Sequence, residues 1–472
     1  MSERNAAPDL RENKMGTMPL GKLLFNMALP LVLSMLVTAL YNVVDSIYVA
    51  GYSQNAVTAL SLAFPIQNLQ IGFATGAAVG MNSLLSKSLG EGNRERANRT
   101  AGNGIFLMLI FIVVFMLFGF FGAGAYYNMQ NISAETAKAG TDYTSICCIY
   151  TAGIFVGILG ERMLQATGKT IYTMFTQGTG AVINIILDPL FIYGFEPLGI
   201  PEMGAAGAAV ATVIGQWIGA AMSVFFNLKK NTDIRFALKY LRPDKEIMSK
   251  ILAVGVPTIV MMAIGSVMNF GMNQIFLGFA DIGETASGVF GIYFKLQSFF
   301  FMPLFGINNA AISILAFNYG ARQPKRITGT LKRVVGAAMV IMLVGMAIFQ
   351  LIPGTLMGFF STSADAADGE FVRLGISALR IISLMFPLAA VGIALGGAAF
   401  PAMGDGLYAT ITSLCRQLIV LLPVAYLLSL SGDVHAVWWS FPIAEVVSLM
   451  VTLILYRKVY RNKIKPMFTQ NG

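Results

Sequence analysis

The sequence predicts an all-α integral membrane protein in which twelve transmembrane helices form two six-helix lobes related by a pseudo-twofold axis. Three observations carry this expectation. Of the 472 residues, 56% are hydrophobic and 12% charged, and the mean hydropathy is +0.69; soluble domains are roughly 45–50% apolar and ~25% charged. Apolar stretches recur between short polar loops from residue 22 to residue 456, each longer than the ~20 residues a helix needs to cross a bilayer. The second half of the chain also repeats the first. A β-barrel would need alternation with period two, which the sequence lacks.

Taken in order, the spans are expected at 22–50, 57–85, 100–125, 141–163, 171–194, 204–228, 247–280, 285–317, 331–360, 371–400, 407–430 and 435–456. They divide the chain into an N-terminal segment (1–21), an N-lobe (22–228), a linker (229–246), a C-lobe (247–456) and a basic tail (457–472). Net charge +9 and pI 9.4 would suit nucleic acid, but the distribution points elsewhere. Lys and Arg gather before span 1, in 86–100, around 162–169, in 229–250, in 320–333 and in the tail, against Lys138 and Arg373 on the other face. That asymmetry is the positive-inside pattern and puts both termini in the cytoplasm. The first 20 residues include Pro8, Asp9, Arg11 and Glu12 and no apolar core of a signal peptide. Three cysteines, Cys147, Cys148 and Cys415, form neither a disulfide framework nor a metal-ligand spacing. The lone His435 reads as a solvated loop residue.

The repeat is explicit. "KLLFNMALPLVLSMLVTALYN" (22–42) answers to "KILAVGVPTIVMMAIGSVMNF" (250–270), with Pro30 opposite Pro257 and Asn42 opposite Asn269. "LSKSLGEGNRERANRT" (85–100) matches "LAFNYGARQPKRITGT" (315–330), placing Gly90 on Gly320. "LQATGKTIYTMF" (164–175) parallels "FPAMGDGLYATI" (400–411), placing Gly168 on Gly404. Six spans separate equivalent points, so both copies enter from one face and the repeat is parallel. Two such bundles leave a cleft between them, and rocking one against the other exposes it alternately, which favours a transporter over a channel. Pro30 and Pro257 bend their helices and free a carbonyl, which marks them as hinges. The linker "KKNTDIRFALKYLRPDKE" reads as a solvated connector or an amphipathic surface helix.

Ionisable side chains at the bilayer centre cost ~2.5–3.5 kcal/mol and usually face a working cavity. The candidates are Asp45, Glu161, Asp188, Lys295, Arg380, Arg416 and Glu445. Glu161, with Arg162, falls near a cytoplasmic end, where charges snorkel to water; Arg380, Arg416 and Glu445 read as internal pairs of the C-lobe. Asp45 and Asp188 differ. Both lie ~8–9 Å below the outer ends of spans 1 and 5 at ~1.5 Å per residue, and Thr212 lies ~12 Å down span 6. Asn184 and Asp188 are one turn apart on one helical face. Two carboxylates, an amide and a hydroxyl are hard oxygen ligands for a small cation. They suit a shared proton equally well, since like charges held close in low dielectric cannot both ionise cheaply.

"LPLVLSMLVTALYNVVDSIYVAG", "SLGEGNRERANR", "LQATGKT", "NIILDPLFIYG" and "GAAGAAVAT" together resemble the MATE (multidrug and toxic compound extrusion) family, nearest its bacterial MepA-like branch, over nearly the whole chain. The resemblance implies a V of two six-helix lobes and antiport, in which organic cations and drugs leave the cell in exchange for sodium ions or protons. It also implies a first-lobe cation site at Asp45, Asn184, Asp188 and Thr212, with sodium a possible occupant. Some members resemble a second type, with acidic ligands in helices 7 and 10. Span 7 here offers Asn269, Asn273 and Gln274 instead, and span 10 has no acid between Phe371 and Phe400.

On this reading the substrate cleft is lined by spans 1, 2, 7 and 8, through Gln67, Asn68, Gln70, Asn269, Tyr293, Lys295, Phe299 and Met302. Apart from the coupling ion no cofactor is expected. The substrates are drug-like, cationic and amphipathic, and the protein works as a monomer in the cell (inner or plasma) membrane, with no nucleic-acid partner. An alternative with the same fold is a lipid-linked oligosaccharide flippase, which would need a strongly cationic cavity; Lys295 is the one good basic candidate. No paired catalytic His, Cys or Ser motif and no phosphate loop argues for an enzyme.

Overall fold

The computed structural model describes residues 13–130, 132–280, 282–360 and 369–470. Among them the regular structure is helical, apart from an isolated antiparallel bridge between Phe195 and Ile200. A short helix, α1 (Lys14–Thr17), precedes α2 (Leu20–Tyr52), α3 (Gln54–Gly90) and α4 (Arg94–Asn128). Next come α5 (Ala134–Ile149), α6 (Ala152–Ala166), α7 (Thr170–Ile192) and α8 (Ala205–Lys230). The second lobe holds α9 (Lys245–Leu277), α10 (Gly283–Gly320), α11 (Pro324–Leu351), α12 (Glu370–Ser383), α13 (Phe386–Ala402), α14 (Gly406–Ser429) and α15 (Val434–Thr469).

Loop side chains start several helices. Ser53 Oγ accepts from Ala56 N–H at 3.0 Å ahead of α3, and Asn93 Oδ1 accepts from Arg96 N–H at 2.9 Å ahead of α4. Asp244 Oδ1 does the same for Glu246 at 3.0 Å ahead of α9. Each such cap is worth about 1 kcal/mol. Helices α6 and α13 end alike. Gly168 and Gly404 both have φ +78°, and the next residue's N–H reaches back, Lys169 to Leu164 O at 2.7 Å and Asp405 to Phe400 O at 2.9 Å. Only glycine enters that backbone region freely, so the two residues aligned by sequence do the same work in the two lobes.

By length and hydropathy, nine of these helices can cross a membrane. Two bent pairs, α5 with α6 (46°) and α12 with α13 (47°), raise that to eleven. They stand where spans 4 and 10 were expected as single helices, and they occupy equivalent places in the repeat. The count of twelve is not reached by this criterion. The expected second span is α3, 37 residues long, whose Gln, Asn, Ser and Gly content lowers its hydropathy.

The lobes meet at one end of the molecule. A methyl group added at Gly76 or Gly80 of α3 would meet backbone oxygens of α9, Gly255 at 2.6 Å and Ile251 at 2.1 Å. The related contact puts Gly306 of α10 against Val32 N of α2 at 2.8 Å. Across the pseudo-axis, Gly90 faces Phe317 O at 1.9 Å and Gly320 faces Lys87 O at 2.1 Å. These reciprocal contacts need glycine, because any side chain would push the lobes apart. One apolar cluster there mixes both lobes and holds Met15 and Ile464, so both described termini lie at this terminal end. Toward the far end each apolar cluster belongs to one lobe.

The linker is a largely exposed connector, as expected, and not an amphipathic helix. Beyond one 3₁₀ turn at Leu238–Leu241 it is irregular and is pinned along α4. Asn98 Oδ1 accepts from Arg235 N–H at 2.8 Å, Asn103 Oδ1 from Asp244 N–H at 2.7 Å, and Tyr240 donates to Glu95 at 3.0 Å. The basic tail continues as helix in α15, where Lys463 Nζ binds Asp405 at 2.8 Å.

Candidate functional site

Helices α7 and α8 approach closely because each presents a glycine to the other. A methyl group at Gly180 would meet Gly215 O at 3.1 Å, and one at Gly215 would meet Gly180 O at 2.8 Å. One turn farther from the terminal end, this proximity brings Thr212 to Asn184. Asn184 Nδ2 donates to Asp188 Oδ1 at 3.1 Å and to Thr212 Oγ1 at 3.3 Å. Asp188 is wholly buried and Asn184 nearly so. Pro189 follows directly inside α7 and leaves a backbone carbonyl without its helical donor.

Half-buried Asp45, on α2, lies close enough to Asp188 for their charges to interact. Asp45 Oδ1, Asn184 Oδ1 and Asp188 Oδ2 are all buried without a hydrogen-bond partner. Buried acceptors are nearly always satisfied, so these three bare oxygens stand out as hard donors of the kind that could hold a small cation or share a proton. The structure thus brings together all four residues singled out for a cation. Sequence reasoning missed Tyr41, one turn before Asp45, which sits in the field of both carboxylates; its i, i+4 spacing to Asp45 was the available signal.

The residues expected to line a cleft divide by helical face. On α3, Asn68 lies one turn beyond Gly72, whose added methyl would meet Met262 of α9 at 3.8 Å, so it continues the face toward the other lobe. Gln67 and Gln70 point the opposite way, which corrects their assignment to the cleft. Gln67 Nε2 donates to Tyr143 OH at 2.8 Å, and Gln70 Nε2 donates to Thr151 Oγ1 at 3.1 Å, both inside the N-lobe. On α10, Lys295, Phe299 and Met302 share a face with Gly306, the residue that packs on α2. Lys295 and Phe299 are exposed and Met302 half-buried, with no ion pair at Lys295 among the described residues. Tyr293 faces away and is 1% exposed, its ring 6.0 Å from that of Phe441, so it too leaves the cleft. Asn269, half-buried, donates to Gly265 O in its own helix at 3.1 Å. Helices α2 and α9 run unbroken through Pro30 and Pro257; the carbonyl that Pro30 frees four residues earlier, Asn26 O, accepts from Thr170 Oγ1 at 3.4 Å, while Pro257 O accepts from Thr410 at 3.1 Å.

The MatE family model matches residues 30–190 and again 257–427, once in each half. The chain belongs to the MatE family. Multidrug export protein MepA of Staphylococcus haemolyticus (strain JCSC1435) is 26% identical over 445 residues, 94% of each chain. MepA of Staphylococcus aureus (strain NCTC 8325 / PS 47) is 25% identical over 445 residues, 93% of this chain and 94% of its own. An outward-facing structure of a multidrug resistance MATE family transporter of the MOP superfamily superposes with TM-score 0.88 at 23% identity, covering 99% of this chain and all of the other. That likeness establishes the fold of this multi-pass membrane protein.

The remaining charges of this MatE chain part from expectation at Glu161 and at Arg380. Glu161 does not snorkel. It is buried between α6 and α7, where Thr176 Oγ1 donates to Oε1 at 2.9 Å and Gln177 Nε2 to Oε2 at 2.7 Å; Arg162 donates to Gln165 Oε1 at 3.0 Å. In the C-lobe, Arg416 and Glu445 pair at 3.8 Å, whereas Arg380 is exposed. His435 is exposed, its Nδ1 2.7 Å from Ser377 Oγ.

Proposed function

We propose that this protein is a multidrug exporter that works by antiport, expelling cationic, amphipathic drug-like molecules in exchange for sodium ions or protons. The observation that carries the reading is the cluster of three bare, buried oxygens on Asp45, Asn184 and Asp188. Isolated charges of this kind are costly in a membrane unless they bind or titrate there. In the proposed cycle the ion enters from the far, extracellular side and draws α2, α7 and α8 together. It thereby biases the lobes toward release of drug outward, then leaves at the terminal, cytoplasmic end. An inward-negative potential contributes ~2.3 kcal/mol per charge per 100 mV. Asn68, Asn269, Lys295, Phe299 and Met302 line the substrate path, where Phe and Met surfaces accommodate varied apolar groups. The names of the MepA relatives support the drug cargo, and the basic terminal end supports the orientation in a cell membrane.

The test is efflux from intact cells lacking their own exporters. Cells expressing the protein should hold less of a panel of fluorescent organic cations than cells expressing Asp188→Asn at equal membrane abundance. Accumulation equal to that of cells without the protein across the whole panel would refute the exporter reading, and equal, lowered accumulation with wild type and Asp188→Asn would remove Asp188 from it.

A further inference from the structure

The C-lobe holds a second buried carboxylate that the proposed cycle does not use. Glu445, on α15, is 2% exposed. Its Oε1 has no hydrogen-bond partner and looks onto the bare backbone of Gly392 on α13, where an added methyl would stand 3.1 Å away. Its Oε2 is 3.8 Å from Arg416 Nη1, near enough for attraction and too far for a hydrogen bond. The Tyr293 hydroxyl, from α10, is also buried without a partner and lies in the field of both charged groups. Among the described residues, the titratable or charged groups facing Glu445 are thus Arg416 from α14 and Tyr293 from α10; α13 contributes none.

We propose that Glu445, set between Arg416 and the backbone of Gly392, is a second proton-binding site of this protein, in the C-lobe. A buried carboxylate with a bare oxygen and an ill-fitting counter-charge is costly as an ion. Binding one proton from hydronium in solution forms one O–H bond, releases one water and removes the charge. A metal ion fits poorly, because it would stand beside a guanidinium and find one carboxylate oxygen and one phenol where six or so oxygens are wanted. Protonation also removes the counter-charge of Arg416. That residue lies in a π turn, Cys415–Leu421, and the next side chain, Gln417, would meet a methyl added at Gly265 of α9 at 3.6 Å. Helix α9 is the one that packs on α3 at the terminal end, so the proton sits where it can bias the contact that closes the lobes.

The experiment uses the full chain in lipid nanodiscs and pH-difference infrared spectroscopy of the protonated-carboxyl stretch, which needs no transported substrate. Failure of the exporter reading therefore leaves this test intact. A titrating carboxylic-acid band is expected in wild type and in the Asp45→Asn, Asp188→Asn double variant, and adding Glu445→Gln to either should remove the Glu445 component. Arg416→Gln and Tyr293→Phe should each move the pH at which the band appears. Identical bands in wild type and Glu445→Gln would mean that Glu445 stays ionised in a plain structural pair, and the proposal would fall. If Glu445→Gln does not fold, the other two variants decide: a band that neither of them moves overturns the assignment.

Discussion

In the N-lobe, Asp188 lies beside an amide and a hydroxyl, and the cluster leaves three buried oxygens bare. In the C-lobe, Glu445 lies beside a guanidinium with one oxygen bare. The first cluster has no positive charge of its own and must obtain one from solution; the second has one built in, loosely fitted. Both are intramembrane carboxylates, one in each lobe, yet one sits among neutral oxygen and amide groups and the other against a guanidinium. What decides the role is the donor set around the carboxylate.

Breaking the N-lobe cluster should have the largest effect. Asp188→Asn or Asp45→Asn removes a ligand charge and is expected to weaken cation binding by more than about 3 kcal/mol, over 100-fold, with thermal unfolding little changed. Next is Arg416→Met, which strands Glu445. A stability loss of about 2–3 kcal/mol is expected, below the 3–5 of a fully buried pair because the arginine side chain is 28% exposed. Chemical unfolding should show the loss largely recovered by adding Glu445→Gln, and smaller in acid. Asn184→Ala deletes the amide that links Asp188 to Thr212 and should weaken ion binding by about 1–1.5 kcal/mol, roughly five- to tenfold. In the cleft, Lys295→Ala should tighten binding of a monovalent organic cation only about twofold, the ~0.5 kcal/mol of a charge ~8 Å away in water. Smallest of all, Tyr293→Phe removes an unpaired hydroxyl and should leave stability within about 0.5 kcal/mol. A larger loss in unfolding would mean that the hydroxyl is bonded.

Much of the contrast was legible beforehand. Asn184 and Asp188 are one turn apart, and counting residues from the helix ends put Asp45 at the depth of Asp188. Gly168 and Gly404, aligned by sequence, share one backbone conformation. Sequence was silent where a partner on another helix decides. Glu161 stays inside because Thr176 and Gln177 reach it from α7, and Gln67 and Gln70 turn inward because α5 and the α5–α6 bend offer Tyr143 and Thr151. The face of α3 toward the other lobe was marked by Gly72, Gly76 and Gly80, and both glutamines lie opposite it. Nor could hydropathy reveal that spans 4 and 10 are bent pairs, since apolar content does not change at a break.

The N-lobe cluster as coupling site is tested most directly in proteoliposomes, by comparing wild type, Asp45→Asn and Asp188→Asn for transport of a fluorescent organic cation under imposed sodium or pH gradients. Gradient-driven transport by wild type, lost in either correctly folded variant, is the predicted result, and the gradient that drives it names the ion. Equal gradient-driven transport by all three proteins would contradict the account and leave these carboxylates a structural role.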